Sequence, residues 1–312
     1  MNVLLIGQYG AETTRRIRAV FPADWTLTVA APADAGPHLA AAEVVIPEHI
    51  PVDDAFLAQA PRLRLVQTGA GYDNVDLEAC TRRGVQVCNA AGVNAGAVAE
   101  HVLAFLLAYY KDLCLLNAAM HAGETVVPPY TGGELAGCTI GLIGLGRIGR
   151  EVAARCQAFG MRVIAWSYRP IEVPGVTLVD LPALYRESDI VSLHVPLKPE
   201  TRAMIDAAAL AQMKPGALLV NTARGGLVDE AALVDALSRG QLGGACLDVF
   251  AEEPLAAESP LRRMANVILT PHTAGYPDGV KFHAARYAFF VENIRAFFAG
   301  QTPACRCNHI ER

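Results

Sequence analysis

The chain has 312 residues, of which 53% are hydrophobic and 18% are charged, and its formal net charge is −5. This length predicts about two domains, and so large an apolar fraction excludes an intrinsically disordered protein. The net negative charge gives no electrostatic footprint for nucleic acid, and we expect neither nucleic acid nor a membrane as a partner.

The eight cysteines are dispersed, and the one close pair, Cys305-x-Cys307, lacks the partner spacing of a zinc site. We therefore expect free thiols in a reducing compartment and no metal. The N-terminus begins directly with a strand and has neither a basic region nor a cleavage site. The longest uninterrupted apolar run, residues 102–110, is shorter than the about 20 residues that span a bilayer. The expected location is the cytoplasm.

Short apolar strands alternate with helical patterns along most of the chain. Strand candidates lie at residues 3–6, 44–46, 63–67, 85–88, 139–143, 162–166, 190–194, 217–221, 244–248 and 267–270. This alternation is typical of parallel sheets with right-handed crossovers, and it predicts a doubly wound α/β architecture.

Residues 95–117 are compatible with one helix that is apolar on nearly every side. A helix without a polar face is normally buried, so we expect this segment to connect two domains and to form an interface. Residues 121–137, rich in Gly and Pro, predict an ordered loop, and residues 282–298 predict a phenylalanine-rich helix.

A glycine motif follows a strand in the middle of the chain: residues 140–149 read I-G-L-I-G-L-G-R-I-G. In a dinucleotide site the first glycine allows the tight turn, the second lets the backbone approach a pyrophosphate, and the third permits close helix packing. The acid expected about 20 residues later is absent, because the next strand ends in S-Y-R at 167–169. The motif predicts a dinucleotide site with an unusual ribose end.

Three later strands each end in a loop with polar side chains, at the edge where doubly wound sheets bind ligands. Arg224, among small residues, is suited to bind a carboxylate through two parallel hydrogen bonds. His272, next to a proline, is rigidly placed and suited to proton exchange near neutrality, and a nearby carboxylate would hold its tautomer and raise its pKa. Glu252 and Glu253 are candidates for that carboxylate. The chain thus combines a dinucleotide motif with an arginine, a histidine and a carboxylate, which are the groups that hydride transfer to a 2-oxo acid requires.

These motifs resemble those of one family, the D-specific 2-hydroxyacid dehydrogenases, which includes 3-phosphoglycerate, glyoxylate/hydroxypyruvate, D-lactate and formate dehydrogenases or reductases. The resemblance covers nearly the whole chain. Its segments are V-Q-T-G-A-G-Y-D-N-V-D at 66–76, N-A-G-A-V-A-E-H at 94–101, the glycine motif at 141–149, H-V-P-L-K-P-E-T-R-A-M-I at 194–205, M-K-P-G-A-L-L-V-N-T-A-R-G-G-L-V-D-E at 213–230, and the loops at 247–254 and 270–275.

The resemblance implies a role for each matched residue. Arg224 would hold the substrate carboxylate and polarise its carbonyl, His272 would be the general acid/base, and Glu253, the residue before the proline, would be its partner. The backbone N–H groups of Ala70 and Gly71 look like further carboxylate donors. The residues implied to lie at the cofactor are Gly144, Gly146, Arg147, Ile148, Gly149, Ser167, Tyr168, Arg169, His194, Pro196, Thr201, Thr222, Ala223 and Asp248.

The resemblance also implies two doubly wound parallel-sheet domains, a Rossmann cofactor domain inserted into a flavodoxin-like substrate domain. The expected bounds are 1–98 plus 276–312 for the substrate domain and 99–275 for the NAD(P)-binding domain. The substrate would lie in the cleft between them, and hinge closure would exclude water. Family members are usually dimers, so we expect a homodimer.

The cofactor preference depends on Ser167. Family members that prefer NAD usually carry Asp at this position, where it accepts hydrogen bonds from the ribose 2′-OH and would repel a 2′-phosphate. A serine followed by Arg169 suits a phosphate dianion, and Lys198 is placed to add positive charge. The sequence therefore favours NADP; if Arg169 merely points to solvent, NAD is accepted as well.

The substrate is harder to predict. No cluster of basic residues is obvious in the loops of the substrate domain, which favours glyoxylate, hydroxypyruvate or a larger uncharged 2-oxo acid over 3-phosphoglycerate. His49, in the loop at 46–50, is a candidate for contacting the substrate's side chain. Two alternatives stay open: an NAD-dependent enzyme like 3-phosphoglycerate dehydrogenase, and a dinucleotide-sensing binding protein like the corepressors that share the fold.

Overall fold

The computed structural model describes residues 1–48, 50–124, 132–276 and 284–310. The chain divides into two compact units: Met1–Asn94 with Tyr276–Arg312, here unit 1, and Ala95–Gly275, here unit 2. The division falls after Asn94 and not at 98/99, because the helix that begins at Ala95 belongs whole to unit 2. His49, residues 125–131 of the ordered loop predicted at 121–137, and the first residues of the helix predicted at 282–298 lie outside the described residues.

Strands and helices alternate along the chain. The first segment of unit 1 contains β1 (Asn2–Ile6), α1 (Ala11–Val20), β2 (Thr26–Ala30), α2 (Gly36–Leu39), β3 (Val44–Pro47), α3 (Asp54–Gln59), β4 (Leu65–Gln67), α4 (Leu77–Arg82) and β5 (Gln86–Cys88). Unit 2 contains α5 (Ala95–Tyr110), α6 (Leu113–His121), β6 (Thr139–Ile143), α7 (Arg147–Ala158), β7 (Arg162–Trp166), β8 (Val176–Leu178), α8 (Leu181–Glu187), β9 (Ile190–Leu193), α9 (Ala207–Gln212), β10 (Ala217–Asn221), α10 (Glu230–Ser238), β11 (Leu242–Leu247) and β12 (Val267–Leu269), and α11 (Ala284–Phe298) returns to unit 1.

Each unit is built on one parallel sheet among the described residues. The strand order in unit 1 is β2-β1-β3-β4-β5, the flavodoxin-like order. The order in unit 2 is β12-β11-β10-β9-β6-β7-β8, which is the Rossmann order with one added strand at an edge. The predicted fold class, two doubly wound parallel-sheet domains, is confirmed.

The sequence specifies these elements through burial and helix capping. Central strands such as β6 and β10 are buried at every residue, as expected where helices cover both faces of a parallel sheet. Several helices begin at an aspartate whose side chain accepts a hydrogen bond from the backbone N–H three residues on, a cap worth about 1 kcal/mol. These aspartates are Asp53, Asp76, Asp180, Asp206 and Asp229.

The prediction of a single helix at 95–117 is wrong. The segment forms α5 and α6, which meet at an angle of 62°, because Asp112 adopts the left-handed conformation with φ +47°. Helix α5 is largely buried, whereas α6 exposes Leu113, Leu115 and Met120 by 58%, 52% and 67%. Within the described residues no single helix is long and apolar enough to cross a membrane, although α5 and α6 taken together meet that length and composition.

Candidate active site

The loop after β12 carries His272. Its Nδ1 lies 2.7 Å from Oε2 of Glu253, and each side chain is about one-third exposed, at 32% and 35%. The backbone N–H of Phe250 donates to the other oxygen of Glu253 at 3.2 Å, which orients the carboxylate. Because Nδ1 of His272 is hydrogen-bonded to Glu253, Nε2 is the ring nitrogen that can exchange a proton with a ligand. The structure brings this predicted pair together, and Glu253 rather than Glu252 makes the contact.

Asp248 holds the turn that carries His272. This carboxylate is 1% exposed. Its Oδ1 accepts hydrogen bonds from the Thr270 hydroxyl at 2.6 Å and the Thr273 N–H at 2.8 Å, and its Oδ2 accepts from the Ala274 N–H at 2.9 Å. The Asp248 carbonyl accepts from the His272 N–H at 2.7 Å. These bonds stabilise His272 in the left-handed region, at φ +53°.

His101, on α5, completes this network and was missed by sequence reasoning. Its Nε2 lies 3.0 Å from the Thr270 hydroxyl oxygen. Because the hydroxyl hydrogen of Thr270 goes to Asp248, Nε2 of His101 is the donor. Burial lowers the pKa of His101, although Asp248 opposes this. In the sequence, His101 is the last residue of the motif N-A-G-A-V-A-E-H at 94–101.

Arg224 lies in the loop after β10, and the buried side chain of Asn221 holds this loop through hydrogen bonds. Asn221, 1% exposed, accepts from the Ala223 N–H at 3.0 Å and donates to the Arg224 carbonyl at 2.9 Å. A Cβ on Gly225 would collide with the backbone of Phe250, so only glycine fits there. The Arg224 side chain is anchored by a hydrogen bond from Nη1 to the Ala223 carbonyl at 2.7 Å. A rigid loop thus positions a half-buried guanidinium at the carboxyl edge of the sheet.

The glycine turn between β6 and α7 fits a pyrophosphate. Gly144 has φ +109°, and a Cβ there would lie 2.6 Å from the carbonyl oxygen of His194. A Cβ on Gly149 would collide with the Gly144 carbonyl. At Gly146, the N-cap of α7, a Cβ would meet no described heavy atom within 4 Å. Two glycines are therefore needed for packing, and the third leaves the helix N-terminus open to an anion.

The ends of β7 and β9 flank this turn. The Trp166 carbonyl accepts from the Gly144 N–H, and the Ile143 carbonyl accepts from the His194 N–H, both at 2.8 Å. Ser167 is therefore beside the glycine turn, at the switch point where doubly wound sheets bind dinucleotides. Burial lowers the pKa of His194 to about 4, so this side chain is neutral at neutral pH.

Two threonines predicted at the cofactor differ in their surroundings. The Thr201 hydroxyl donates to the Pro196 carbonyl and accepts from the Lys198 N–H, both at 2.8 Å, so it shapes its own loop. The Thr222 hydroxyl is buried and has no hydrogen-bond partner among the described residues. An orphaned buried hydroxyl is expensive unless a ligand satisfies it. Together with Gly146, Thr222 indicates that these residues fit a bound dinucleotide.

The sequence comparisons agree with this geometry. Residues 103–274 match the D-isomer specific 2-hydroxyacid dehydrogenase, NAD binding domain. The chain belongs to this family. The family resemblance predicted from the motifs is confirmed, and the chain carries the family's nicotinamide-cofactor domain.

Curated relatives in this family have several names. The chain is 43% identical over 257 residues to a D-3-phosphoglycerate dehydrogenase of Mycobacterium leprae, a match that covers 80% of this chain and 48% of the relative. It is 43% identical over 264 residues to the glyoxylate reductase of Aeropyrum pernix, covering 81% and 78%. The chain thus spans about half the length of the phosphoglycerate dehydrogenases it matches.

Solved structures of the same fold contain either cofactor. An acyclic imino acid reductase in complex with NADPH and D-Arg superposes with a TM-score of 0.86 at 30% identity, covering 98% of this chain and 99% of that one. D-lactate dehydrogenase from Aquifex aeolicus, complexed with NAD and lactic acid, superposes with a TM-score of 0.84 at 30% identity, covering 96% of each chain. A nicotinamide cofactor is supported, and the comparisons leave the choice of cofactor open.

The predicted carboxylate donors belong to unit 1. The loop with Ala70 and Gly71 follows β4, and its carbonyls are held at the end of β5: the Ala90 N–H donates to the Gly69 carbonyl and the Asn89 amide donates to the Ala70 carbonyl, both at 2.8 Å. This loop is therefore fixed by its neighbours. Within unit 2, a cavity of about 430 Å³ opens beside the pair Glu253 and His272, with a mainly apolar lining that includes Phe250 and Leu269.

Proposed function

We propose that the protein reduces a 2-oxo acid to a 2-hydroxy acid with NADPH as the preferred cofactor. The observation that carries this is the hydrogen bond between His272 Nδ1 and Glu253, 2.7 Å long, in a strand-end loop of the same sheet as the glycine turn. A histidine oriented in this way is the general acid that a carbonyl reduction needs.

The proposed roles follow from the contacts of each side chain. Arg224 binds the substrate carboxylate and polarises the adjacent carbonyl through charge-assisted hydrogen bonds. Nε2 of His272 donates a proton to the carbonyl oxygen, and Glu253 stabilises the imidazolium from which that proton leaves. The N–H groups of Ala70 and Gly71 add donors to the carboxylate. When bound, the reduced nicotinamide supplies the hydride, so one 2-oxo acid, one NADPH and one proton give one 2-hydroxy acid and NADP⁺.

The preference for NADPH is supported by the residues beside the glycine turn. Ser167 offers a hydroxyl where a carboxylate would repel a 2′-phosphate, and Arg169, which is exposed, adds a positive charge two positions on. His194 adds no charge, because burial keeps it neutral. The test is kcat/KM for NADPH against NADH in the wild type and in Ser167→Asp. In the wild type we expect kcat/KM for NADPH to be well above that for NADH, and in the variant this ratio should fall at least about tenfold. Equal values for the two cofactors in the wild type would refute the preference.

We further propose that the enzyme is a cytoplasmic homodimer and that α6 contributes to the contact. This helix exposes three large apolar side chains, Leu113, Leu115 and Met120, and such a concentration of exposed apolar side chains is typical of a surface that a partner covers. Sedimentation of the wild type and of Leu115→Asp tests this. A wild type that sediments as a monomer would contradict the homodimer, and an unchanged dimer in the variant would exclude α6.

The substrate that we favour is glyoxylate or hydroxypyruvate. A second candidate is NAD-dependent oxidation of 3-phosphoglycerate, favoured by the names of relatives that are 43–46% identical. One panel separates them: initial rates, followed by the absorbance of the reduced nicotinamide, for glyoxylate, hydroxypyruvate, pyruvate and phosphohydroxypyruvate with each reduced cofactor. Tight cofactor binding without turnover of any 2-oxo acid would favour a dinucleotide sensor instead.

A further inference from the structure

Unit 1 contains a largely buried ion pair. Arg286, on the first turn of α11, donates from Nη2 to Oε1 of Glu48 at 2.6 Å, and the two side chains are 18% and 17% exposed. The same nitrogen donates to the hydroxyl of Tyr287 at 3.0 Å. The guanidinium also lies over the rings of Tyr287 and Phe290, 5.0 Å and 5.7 Å from their centroids. Arg286 is thus fixed from several sides.

This pair is at the ligand-binding edge of its sheet. Glu48 directly follows β3, and its N–H donates to the carbonyl of Ile6, the last residue of β1, at 2.9 Å. A Cβ on Gly69 would lie 3.8 Å from Nη1 of Arg286. The guanidinium therefore lies against the loop of Ala70 and Gly71, which we have proposed as a carboxylate-binding element. Doubly wound sheets bind ligands outside these strand ends.

Stability alone is a poor explanation for the pair. A buried ion pair stabilises a fold little compared with apolar side chains of the same volume, because both charges lose their hydration. The neighbours here, Tyr287 and Phe290, are 0% and 1% exposed, so apolar packing was available at this place. A charged pair beside the loop at 69–71 instead presents a donor and an acceptor to whatever that loop binds.

We propose that Glu48 and Arg286 form the subsite for the group on C3 of the substrate and restrict it to an uncharged, hydrogen-bonding group such as hydroxymethyl. This inference rests on the proposed function. A hydroxyl can donate to the Glu48 carboxylate and accept from the Arg286 guanidinium. A phosphate, sulfonate or second carboxylate is repelled by Glu48, whose charge cancels the attraction of Arg286. The sequence shows no cluster of basic residues in the loops of the substrate domain. The structure places one basic side chain, Arg286, beside the loop at 69–71, and Glu48 neutralises its charge.

The test is substrate selectivity, with glyoxylate as the internal reference because it has no C3. We expect wild-type kcat/KM to be at least about tenfold higher for hydroxypyruvate than for phosphohydroxypyruvate or oxaloacetate. In Glu48→Gln, which keeps the shape and removes the charge, kcat/KM for both of these more highly charged substrates relative to glyoxylate should rise at least about tenfold. The double variant Glu48→Gln/Arg286→Gln should lose that gain, because the attracting charge is gone.

Glu43→Gln is the matched control, since Glu43 precedes β3 at the opposite end and accepts a hydrogen bond from Asn2; its selectivity should equal that of the wild type. A wild type that prefers phosphohydroxypyruvate or oxaloacetate to hydroxypyruvate, or a Glu48→Gln variant with unchanged ratios, would overturn the subsite while leaving the proposed function intact. Turnover of no 2-oxo acid would overturn the proposed function, and this inference with it. The wild-type comparison needs no variant to fold.

Discussion

Replacement of Asp248 by Asn tests how the turn with His272 is held. The carboxylate is 1% exposed and accepts from Thr270, Thr273 and Ala274 at 2.6–2.9 Å. An asparagine retains one oxygen, so its amide nitrogen faces a backbone N–H that donates in the wild type. The variant loses a charge-assisted hydrogen bond and leaves a buried donor unsatisfied, at a combined cost of about 3 kcal/mol. A domain of this size loses about 2–4 °C of Tm per kcal/mol, so unit 2 should melt about 6–12 °C lower.

Thermal unfolding followed by circular dichroism measures this shift, and initial rates measure its consequence. We expect kcat to fall about 100-fold, because a general acid displaced by about 1 Å loses most of its effect. Asp206→Asn is the control: Asp206 is exposed and accepts one backbone N–H at the start of α9, a position where Asn caps equally well. If Asp248→Asn melts within about 2 °C of the wild type, the carboxylate does not hold the turn.

Three further predictions concern individual side chains. His272→Gln should lower kcat by about 10²–10⁴-fold while leaving NADPH affinity, measured by fluorescence titration, nearly unchanged; near-normal kcat would refute its role. Arg224→Ala should lower kcat/KM by about 100-fold or more and raise KM, because two charge-assisted hydrogen bonds to the carboxylate are lost; an unchanged KM would count against it. Desolvation lowers the pKa of His194 to about 4 in the folded state, below the 6.5 of the unfolded chain. The unfolded state therefore binds the proton first, and up to about 3 kcal/mol of stability is lost as the pH falls from 6.5 to 4; His194→Asn should show a shallower loss of Tm over that range, and an identical loss would contradict the assignment.

The sequence predicted those strands whose apolar runs are continuous. β6, β7 and β10 have the predicted bounds, because buried parallel strands are apolar on both faces. β2 and β8 were missed, since each is partly exposed and its sequence, T-L-T-V-A or V-T-L, shows no such run. The break between α5 and α6 depends on one left-handed residue, Asp112, which the apolar pattern does not reveal.

For the candidate site, local motifs predicted positions but not the supporting contacts. A proline beside His272 indicated a rigid loop, the family resemblance implied Glu253 as its partner, and the two side chains do meet. The contacts that hold them are long-range: His101 and Thr270 are 169 positions apart in sequence, and Glu48 and Arg286 are 238 apart. Such pairs leave no local periodicity, so the structure was needed to find them. The catalytic and cofactor roles themselves stay predictions.

The most direct test of the central claim is NADPH oxidation by the purified wild-type protein with hydroxypyruvate or glyoxylate, with the product's configuration determined by chiral chromatography. We predict stoichiometric conversion to the 2-hydroxy acid, in the D configuration for hydroxypyruvate, and loss of that activity in His272→Gln. A protein that binds NADPH but oxidises it with no 2-oxo acid, or a His272→Gln variant that remains fully active, would contradict the account.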